Sequence, residues 1–492
     1  MWLDRIRQAL SMGKTPLYFY NTLGLKKQHF ELPPQAKEVR MYNCGPTVYG
    51  RQHIGNLSMF VFTDVLRRTL EYNDYKVKQV INFTDFGHLS SDADEGEDKM
   101  TKGLKREGLA LTLDNMKVLG EKYANLFLED IRALGIKVDD ITFPRASGYI
   151  AAQIAMIQTL DEKGYTYRTK QGVYFDTSRF PEYGKLGNIK LEGNKAGARV
   201  EGDPGKKNPA DFLLWKADGH IGWDSPWGKG FPGWHIECSA MVRATLGMQI
   251  DIHTGGVEHI AIHHNNEIAQ SESATGKKPL SRFWLHRAHL QLEGGKMAKS
   301  EGNVVYLSDV LERGFHPGAL RYLFLTAHYR TPANFTWEAL ESAQNAFAKL
   351  VALCLSLNDY SGGVVSKQWR SRFLAQLNDD LDTPGALATM WDMIKSKKLD
   401  DKTLLATILD FDRVLGLGLS EPDEKARAFA RIGLREEVSR ETLPENVRKL
   451  LKDRDEAREQ KDWTRADELR ILIESEGFNL EDKPDGVRVY RR

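Results

Sequence analysis

The sequence predicts an α/β fold: a doubly wound parallel sheet with a connective insertion, followed by an α-helical bundle and a small C-terminal α+β module. Residues 39–42 and 76–83 are apolar runs typical of strands, and residues 57–72 between them have one wide apolar helical face. This βαβ pattern is typical of a parallel sheet covered by helices. Residues 170–232 are instead rich in Gly, Pro and aromatic residues, which indicates an insertion of short strands and loops. From Thr336 onward the pattern becomes helical.

The elements around the insertion follow in order. Residues 110–165 have a helical pattern, and the α/β pattern returns near Gly233 and extends to about residue 330. The first bundle helix follows Thr336, and these apolar residues keep the spacing of one helical face: Leu340, Ala343, Phe347, Leu350, Val351 and Cys354. A second helix is predicted where Thr383 can cap and Pro384 takes the first helical position. A third covers residues 404–415, and Gly416 and Gly418 end it.

The C-terminal part is predicted as a separate small module. Residues 420–440 are charged and short of large apolar side chains, so they predict a linker or an exposed helix. The last residues predict a helix with Arg458 and Trp463, a second helix with Leu469 and Ile473 that stops at Gly477, and a short strand at 487–490.

Composition limits the class of protein. A chain of 492 residues is expected to form about two to four domains, and 41% hydrophobic with 28% charged residues is typical of a globular protein. A net charge of +1 means that any contact with nucleic acid depends on local patches. Three cysteines form no disulfide framework, which favours a reducing cytoplasm. No apolar run is long enough for a bilayer, and residues 1–16 are expected to be a short extension rather than a signal peptide.

The segment from Cys44 to Asn56 is the first signal of chemistry. A strand, a tight turn and a helix N-terminus form a phosphate site, because backbone N–H groups and the helix dipole meet there. Gly55 allows close backbone approach, and His53 and Asn56 could donate hydrogen bonds to phosphate or ribose oxygens. Cys44 is placed at the carboxyl end of a strand, where open α/β sheets bind ligands. A capped helix start with a satisfied histidine remains the plainer interpretation of this segment alone.

The second signal is a glycine-bracketed loop at residues 294–303 that contains Lys296 and Lys299. Such a mobile cationic loop can close over a triphosphate and stabilise charge on departing pyrophosphate. A solvated basic loop is the alternative when the loop is considered by itself. Together with the first segment, however, it resembles the paired signatures of class I aminoacyl-tRNA synthetases, usually written HIGH and KMSKS.

The third signal is a set of metal-ligand residues. On a helix His263 and Glu267 stand at i and i+4 and point the same way. With Cys44 and Cys238 they could complete a zinc shell, although neither cysteine lies in a CxxC and two ordinary buried cysteines remain the alternative. His264 is the neighbouring competitor, but it is expected to face about 100° away on the helix. Cys354 belongs to an apolar helix face and is assigned to the core.

At this point the residues match one family closely, and the chain resembles the cysteinyl-tRNA synthetases along nearly its full length. The stretches that carry the resemblance are residues 41–49, 53–56, 233–240, 263–267 and 296–300, with 197–200 and 208–212 in the insertion. The resemblance implies a ligase of protein biosynthesis that activates L-cysteine with Mg²⁺-ATP, releases pyrophosphate and transfers cysteine to the 3′-terminal adenosine of tRNA-Cys. It also implies a cytoplasmic, non-membrane enzyme, which we expect to be a monomer.

The resemblance further implies a division into regions. They are an N-terminal extension (1–16), a Rossmann catalytic core in two halves (17–130 and 226–280), the connective insertion (131–225), a stem-contact region with the KMSKS-like loop (281–335), the bundle (336–420), a linker (421–442) and an anticodon-binding module (443–492).

Site residues are transferred by position. One zinc ion would be held by Cys44, Cys238, His263 and Glu267, with the substrate thiolate completing its shell. Thr84 and Glu258 would face the substrate ammonium, and Trp234 would wall the pocket. ATP would meet Gly45, Thr47, His53, Gly55, Asn56, Lys296 and Lys299, of which His53, Asn56 and the two lysines are expected to be catalytic. The anticodon would meet Arg458, Trp463, Asp467 and Asp482, because planar Arg and Trp suit splayed bases.

Three positions depart from the family pattern. Asn56 replaces the second histidine of HIGH, Ala298 replaces the central serine of KMSKS, and Glu258 stands where Asp is more common. A working enzyme is still expected. Two other hypotheses fit the same residues: a cysteine ligase that acylates an amino sugar, which would lack the anticodon module, and a catalytically silent RNA-binding or metal-sensing relative.

Overall fold

A computed structural model describes residues 15–86, 99–189, 204–292, 295–296, 304–357, 362–433, 438–460, 462–483 and 486–491. The chain forms two compact units, Met1–Ser420 and Glu421–Arg492, which are described separately. None of the helices in these described ranges is long and apolar enough to cross a membrane.

The first unit contains most of the regular structure. Its first half holds β1 (Tyr18–Asn21), β2 (Lys26–His29), β3 (Val39–Asn43), α1 (Ile54–Tyr72), β4 (Val77–Ile81), α2 (Lys99–Arg106), α3 (Leu113–Ala133), β5 (Ile141–Thr142), α4 (Ile150–Glu162), β6 (Thr166–Arg168), β7 (Gly172–Phe175), β8 (Phe212–Ala217) and β9 (Gly230–Pro232). Then come α5 (Trp234–Thr245), β10 (Ile250–Gly256), α6 (His263–Thr275), β11 (Ser281–Arg287), β12 (Leu290–Leu292), β13 (Gly295–Lys296), α7 (Leu307–Glu312), α8 (Pro317–Leu325), β14 (Ala333–Phe335), α9 (Trp337–Ser356), α10 (Lys367–Asn378), α11 (Thr383–Ser396) and α12 (Asp401–Leu415).

Five parallel strands form the central sheet, in the order β11-β10-β3-β4-β5. The predicted β3–α1–β4 unit is confirmed, and β10 pairs with the other side of β3. The strand order therefore reverses at β3, and its carboxyl end is the place where ligands bind in such sheets. α1 begins at Ile54 rather than at residue 57, because the His53 side chain caps it by accepting a hydrogen bond from Asn56 N.

The insertion is a separate antiparallel sheet, in the order β6-β7-β8-β9. Its strands have three to six residues, as the sequence predicted. Most of residues 110–165 are helical as predicted, but the two-residue strand β5 pairs with β4 and separates α3 from α4. A two-residue strand has no apolar period to reveal it. The hairpin β1–β2 and the small sheet β13-β12-β14 were likewise not predicted.

The bundle agrees with the predicted apolar face. The buried residues of α9 are the six predicted ones, Leu340 to Cys354, and Thr336 caps the helix. The predicted cap of α11 is wrong by one residue, since Asp382 rather than Thr383 accepts the bond from Gly385 N. α12 begins at Asp401, earlier than predicted, and ends at Gly416, whose φ of 63° is the left-handed conformation that glycine favours. Helix α10 was not predicted.

The second unit consists of α13 (Pro422–Gly433), α14 (Glu445–Glu459), α15 (Trp463–Ser475), β15 (Phe478–Lys483) and β16 (Gly486–Arg491). The two strands form an antiparallel hairpin, where one strand was predicted. Trp463 begins the second long helix instead of belonging to the first, a correction of the predicted division. The core joins α14, α15 and the hairpin through Val447, Leu451, Ile473, Leu480 and Val489. Residues 422–433 are helical, the second of the two predicted states.

Arg321 on α8 joins three other helices of the first unit through a fully buried guanidinium. Its Nε donates to the Leu415 carbonyl at 2.6 Å, Nη1 to the Leu134 carbonyl at 3.0 Å and Nη2 to Asp64 Oδ2 at 2.6 Å. These acceptors lie at the end of α12, just after α3 and within α1. One side chain thus satisfies two buried helix-end carbonyls and a buried carboxylate.

We expect Arg321→Met to lower the free energy of unfolding by about 3–5 kcal/mol, because it leaves buried acceptors without their donor. In the variant, Asp64 Oδ2 still has Arg68 Nε as a partner at 2.7 Å, so we expect a loss at the lower end of that range. Lys27→Met is the control: its ion pair with Asp379 is exposed on both sides and should be worth less than about 1 kcal/mol. Urea denaturation of both variants measures the difference, and equal midpoints would contradict the assigned role of Arg321.

Candidate active site and metal centre

One cavity of about 720 Å³ lies at the carboxyl edge of the central sheet. Residues that follow β3, β4, β10 and β11 line it, together with the N-terminal turns of α1, α5 and α6. The structure brings these predicted site residues into its wall: Cys44, Gly45, Thr47, His53, Gly55, Asn56, Thr84, Trp234, Cys238, Glu258 and His263. Glu267 lies behind the wall and is fully buried. Lys296 is described only as backbone of β13, and Lys299 lies outside the described residues.

The four predicted metal ligands form one cluster at the floor of this cavity. The Sγ atoms of Cys44 and Cys238, a ring nitrogen of His263 and a carboxylate oxygen of Glu267 all lie within 4.8 Å of one another. His263 and Glu267 are one turn apart on α6, as predicted, with Nε2 and Oε1 separated by 3.1 Å. Cys44 comes from the end of β3 and Cys238 from α5, so three separate elements build the cluster.

A second group of side chains holds the ligands in place. His235 Nδ1 lies 2.9 Å from His263 Nδ1, and His253 Nε2 lies 3.0 Å from Glu267 Oε2. Such outer partners fix the orientation of metal-binding imidazoles and carboxylates. His264 does not face away as predicted, since its Nε2 lies 3.3 Å from Cys44 Sγ. The first turn of α6 lies so close to Cys44 that both of its neighbouring histidines, His263 and His264, reach the cluster, each from a different side.

His264 creates an overlapping ligand set of Cys44, His253, His264 and Glu267, whose donor atoms also lie within 4.8 Å of one another. The two sets differ in access to the cavity. Cys44, Cys238 and His263 line the cavity, whereas His253 and His264 do not. An ion held by the first set can therefore meet a small substrate, whereas Cys44 is the one member of the second set that lines the cavity.

The charges in the cluster fit a cation. A hydrogen bond from Cys44 lowers the pKa of the Cys238 thiol to about 6, against the opposing effect of burial. Burial disfavours a charged His263, but its contacts with Cys238 and Glu267 raise its pKa to about 10. Glu267 is buried as well, yet His253 and His263 hold its pKa well below the ordinary range. Burial raises the pKa of the fourth ligand, the Cys44 thiol. Two cysteine thiolates, an imidazole and a carboxylate are ligands that zinc accepts.

The opposite part of the cavity has the features of a nucleotide site. Gly45 passes so close to β4 that a Cβ atom there would lie 1.6 Å from the Asn82 carbonyl oxygen, so only glycine fits. The same Asn82 accepts a hydrogen bond from Gly45 N at 2.9 Å and fixes the turn. The N-terminus of α1, at His53 to Asn56, opens into this space and offers the positive end of a 19-residue helix.

The side chains at this helix start are partly engaged. His53 Nδ1 accepts a hydrogen bond from Asn56 N at 3.3 Å, and Asn56 Nδ2 donates to Gln52 Oε1 at 2.6 Å. The backbone of Ile54 donates to the Val305 carbonyl, which holds the segment after the lysine loop against the start of α1. The segment that follows the predicted lysine signature is therefore adjacent in space to the first signature.

Between the two ends lie Thr84, Trp234 and Glu258. Thr84 donates its hydroxyl proton to Glu237 Oε2 at 2.7 Å, which leaves its oxygen able to accept a bond from a ligand. Burial raises the pKa of Glu237, a fully buried carboxyl group that sequence reasoning did not assign. The Trp234 ring lies tilted by 36° against the His263 ring, with 4.2 Å between the ring centroids. The Oε2 atom of Glu258 lies 3.6 Å from His289 Nδ1, within ion-pair distance.

Sequence reasoning missed several cationic residues in the cavity wall. Lys99, Lys102 and Arg106 stand at i, i+3 and i+7 on one face of α2 and line the cavity. Their helical spacing is a signal that the sequence contains. Arg287 is the last residue of β11, at the strand end where site residues collect, and was also missed.

The second unit holds the residues predicted for the anticodon. The Arg458 guanidinium lies 5.9 Å from the centre of the Trp463 ring, and Trp463 is 58% exposed. Asp467 is exposed one turn further along α15. Asp482 lies in β15, where only its backbone is described. An exposed indole beside a guanidinium offers a flat surface for a nucleobase.

Comparisons with known proteins agree with this arrangement. Residues 30–345 match the family described as tRNA synthetases class I (C) catalytic domain, and residues 440–489 match the cysteinyl-tRNA ligase anticodon binding domain. Cysteine–tRNA ligase 1 of Burkholderia lata is 46% identical over 481 residues, 96% of this chain and 97% of that protein. The cysteine–tRNA ligase of Treponema denticola is 40% identical over 496 residues, 95% of this chain and 98% of that protein.

A solved structure supports the fold independently. Methionyl-tRNA synthetase of Mycobacterium tuberculosis, in complex with methionyl-adenylate, has a TM-score of 0.55 at 15% identity, over 81% of this chain and 97% of that chain. At this identity the likeness shows the fold alone, a class I synthetase architecture with a parallel sheet. Taken with the relatives that match from end to end, it leads to one conclusion: the chain belongs to the cysteinyl-tRNA synthetase family of class I aminoacyl-tRNA synthetases.

Proposed function

We propose that this chain activates L-cysteine with ATP and then transfers the cysteinyl group to the 3′-terminal adenosine of tRNA-Cys. The observation that carries the proposal is a single cavity with a Cys₂-His-Glu cluster at one end and a helix N-terminus at the other. A thiol amino acid at the first end and a triphosphate at the second would meet with their reactive groups in the middle. The family membership and the matched anticodon binding domain support tRNA as the acceptor.

Cys44, Cys238, His263 and Glu267 would hold the zinc ion, because their donor atoms already lie within 4.8 Å of one another. Zinc bound there would ligate the substrate thiolate far better than a hydroxyl group, since sulfur is the softer ligand. Shape alone distinguishes side chains that differ by about one methylene by only about 1–3 kcal/mol, and cysteine and serine differ by less. The donor set therefore accounts for selectivity without a separate editing site.

The rest of the amino acid would be positioned by polar groups beside the cluster. We assign Thr84 to the substrate ammonium, because its hydroxyl proton is committed to Glu237 and its oxygen can accept. Glu258 supplies a carboxylate on the same wall, and Trp234 closes the side next to His263. These contacts would leave the cysteine carboxylate directed toward the nucleotide end.

At that end Gly45, Thr47, His53, Gly55 and Asn56 would surround ATP, with Mg²⁺ bound to its phosphates. A carboxylate oxygen attacks the α-phosphorus, the bond from that phosphorus to the bridging oxygen breaks, and pyrophosphate leaves. The chain acts by positioning and by electrostatic stabilisation, as in other phosphoryl chemistry. Lys296 and Lys299 are proposed to neutralise the leaving pyrophosphate.

Pyrophosphate exchange tests the activation step directly. Purified protein with zinc is expected to incorporate labelled pyrophosphate into ATP only when cysteine is present. Serine should support exchange less by a factor on the order of 10⁴, because it lacks the thiolate that the metal ligands select. An absence of cysteine-dependent exchange in protein that contains zinc would refute the proposed function, and equal exchange with serine would refute the role of the cluster.

We also propose roles for the remaining regions. Residues 281–335 would contact the acceptor stem, residues 336–420 form the bundle, and residues 443–492 would bind the anticodon through Arg458, Trp463, Asp467 and Asp482. The three cysteines are buried thiols, which suits the reducing cytoplasm. We propose that the enzyme works there as a monomer, which light scattering during gel filtration can check.

A further inference from the structure

Arg287 is a buried cation at the wall of the nucleotide cavity. It is the last residue of β11, its side chain lines the cavity, and the residue is only 7% exposed. Nε donates to Ser58 Oγ at 3.0 Å, and Ser58 in turn donates to the Gly55 carbonyl. Within the described ranges of the chain, no other group accepts a hydrogen bond from Arg287 and no carboxylate lies within ion-pair distance.

The direction of the side chain follows from the strand. Phe283 and Leu285, at alternate positions of β11, belong to the same core cluster as Phe62 and Leu66 of α1. Arg287 is the next residue on that face of the strand, so it also points toward α1. It meets the helix at Ser58, within the first turns after the N-terminus that opens into the cavity. The guanidinium therefore lies beside the helix start that we assign to ATP.

A buried charge without a counter-ion is unfavourable unless a ligand compensates it. Burial lowers the pKa of Arg287 to about 10, and no charge on a described residue contributes to the shift. The group remains a cation near neutral pH. Among the residues that the structure describes, Ser58 is the one hydrogen-bond acceptor for a guanidinium that has five donors.

We propose that Arg287 is a nucleotide-binding residue whose guanidinium pairs with the phosphate chain of ATP; this inference rests on the proposed function. A phosphate provides both the negative charge and the two adjacent acceptors that a guanidinium fork matches. The Asn56 amide at the same helix start carries no charge and already donates to Gln52. Arg287 supplies there the charge that Asn56 lacks.

The test compares ligand affinities of the full-length chain by isothermal titration calorimetry. Arg287→Met removes the charge at similar length, and Arg287→Lys keeps the charge without the fork. Arg282→Met is the matched control, because Arg282 lies at the other end of β11, pairs with Asp251 at 3.0 Å and does not line the cavity. We expect Arg287→Met to weaken ATP binding by roughly 10- to 100-fold, with Arg287→Lys between it and the wild type. Affinity for adenosine should change less than about threefold.

Thermal unfolding separates a binding role from a structural one. Without ligand, Arg287→Met should melt no lower than the wild type, because it removes an uncompensated buried charge, while the stabilisation by ATP should largely disappear. Unchanged ATP affinity, or an equal loss of affinity for adenosine, would overturn the proposal. A lower melting temperature with an intact ATP effect would also overturn it. If the wild type bound no ATP at all, the proposed function itself would fail.

Discussion

Replacing Cys238 with serine is expected to remove zinc from the purified protein and to abolish cysteine-dependent pyrophosphate exchange. Cys238 supplies one of the two thiolates in the ligand set, and its low thiol pKa of about 6 reflects the hydrogen bond from Cys44. A serine hydroxyl is a much poorer ligand for zinc. Loss of an outer partner of a metal site already costs about 10- to 100-fold in affinity, so loss of a direct ligand should exceed about 100-fold. Metal analysis after dialysis and a cysteine titration measure both effects.

The same experiment decides between the two overlapping ligand sets. If the ion used Cys44, His253, His264 and Glu267, Cys238→Ser would retain its zinc, and His264→Asn would lose it. Cys354→Ser is the matched control, since Cys354 is equally buried but belongs to the core of α9. That control should lose about 1–3 kcal/mol of unfolding free energy from a buried hydroxyl and none of its zinc. Full zinc content in Cys238→Ser would remove Cys238 from the site.

The parts of the fold that were predictable are those in which local pattern and tertiary role coincide. On α9 the apolar spacing alone identified every buried residue, because one side of an exposed helix must face the core. For α1 and its flanking strands, the local apolar pattern likewise predicted the βαβ unit, and this unit places Cys44 and His53 at the carboxyl edge of the sheet.

Other elements depend on partners that the local sequence does not contain. α10 buries Trp369, Phe373, Leu377 and Asn378 among charged neighbours, so its apolar stripe is too narrow to stand out. β5 exists because β4 offers an open edge. In the same way, the 100° spacing on an isolated helix misplaced His264, because the approach of Cys44 to the end of α6 decides which side chains it meets.

The residues of the candidate site also fall into those that the local sequence predicts and those that depend on the tertiary structure. The metal ligands and the phosphate turn were predicted because their residue types and spacing carry the chemistry. Glu237 and Arg287 were not assigned, because each is unusual only through its burial, and burial follows from the tertiary structure. A buried carboxyl group that accepts from Thr84 and a buried guanidinium beside Ser58 are visible only when several strand ends meet.

Removing the second unit is expected to separate the two half-reactions. A chain that ends at Ser420 keeps the whole cavity and the first compact unit, so cysteine-dependent pyrophosphate exchange should stay within about threefold of the wild type. Transfer to tRNA-Cys should fall by at least roughly 100-fold, because contacts to a stacked base are worth about 1–3 kcal/mol each and several would be lost. Aminoacylation of tRNA-Cys measures the second effect.

A full-length variant locates this effect on one surface. Trp463→Ala should reduce the efficiency of tRNA charging by about 10-fold or more, without changing pyrophosphate exchange. Leu472→Ala is the control: Leu472 is 47% exposed on the same helix, α15, but nine residues further along and so about 180° around it. Equal charging by the chain that ends at Ser420 would contradict the role of the second unit, whereas a ligase that acylates an amino sugar would charge no tRNA in either form. The exposed indole at the start of α15, with Arg458 beside it, is the feature that argues for tRNA, because no small acceptor would need it.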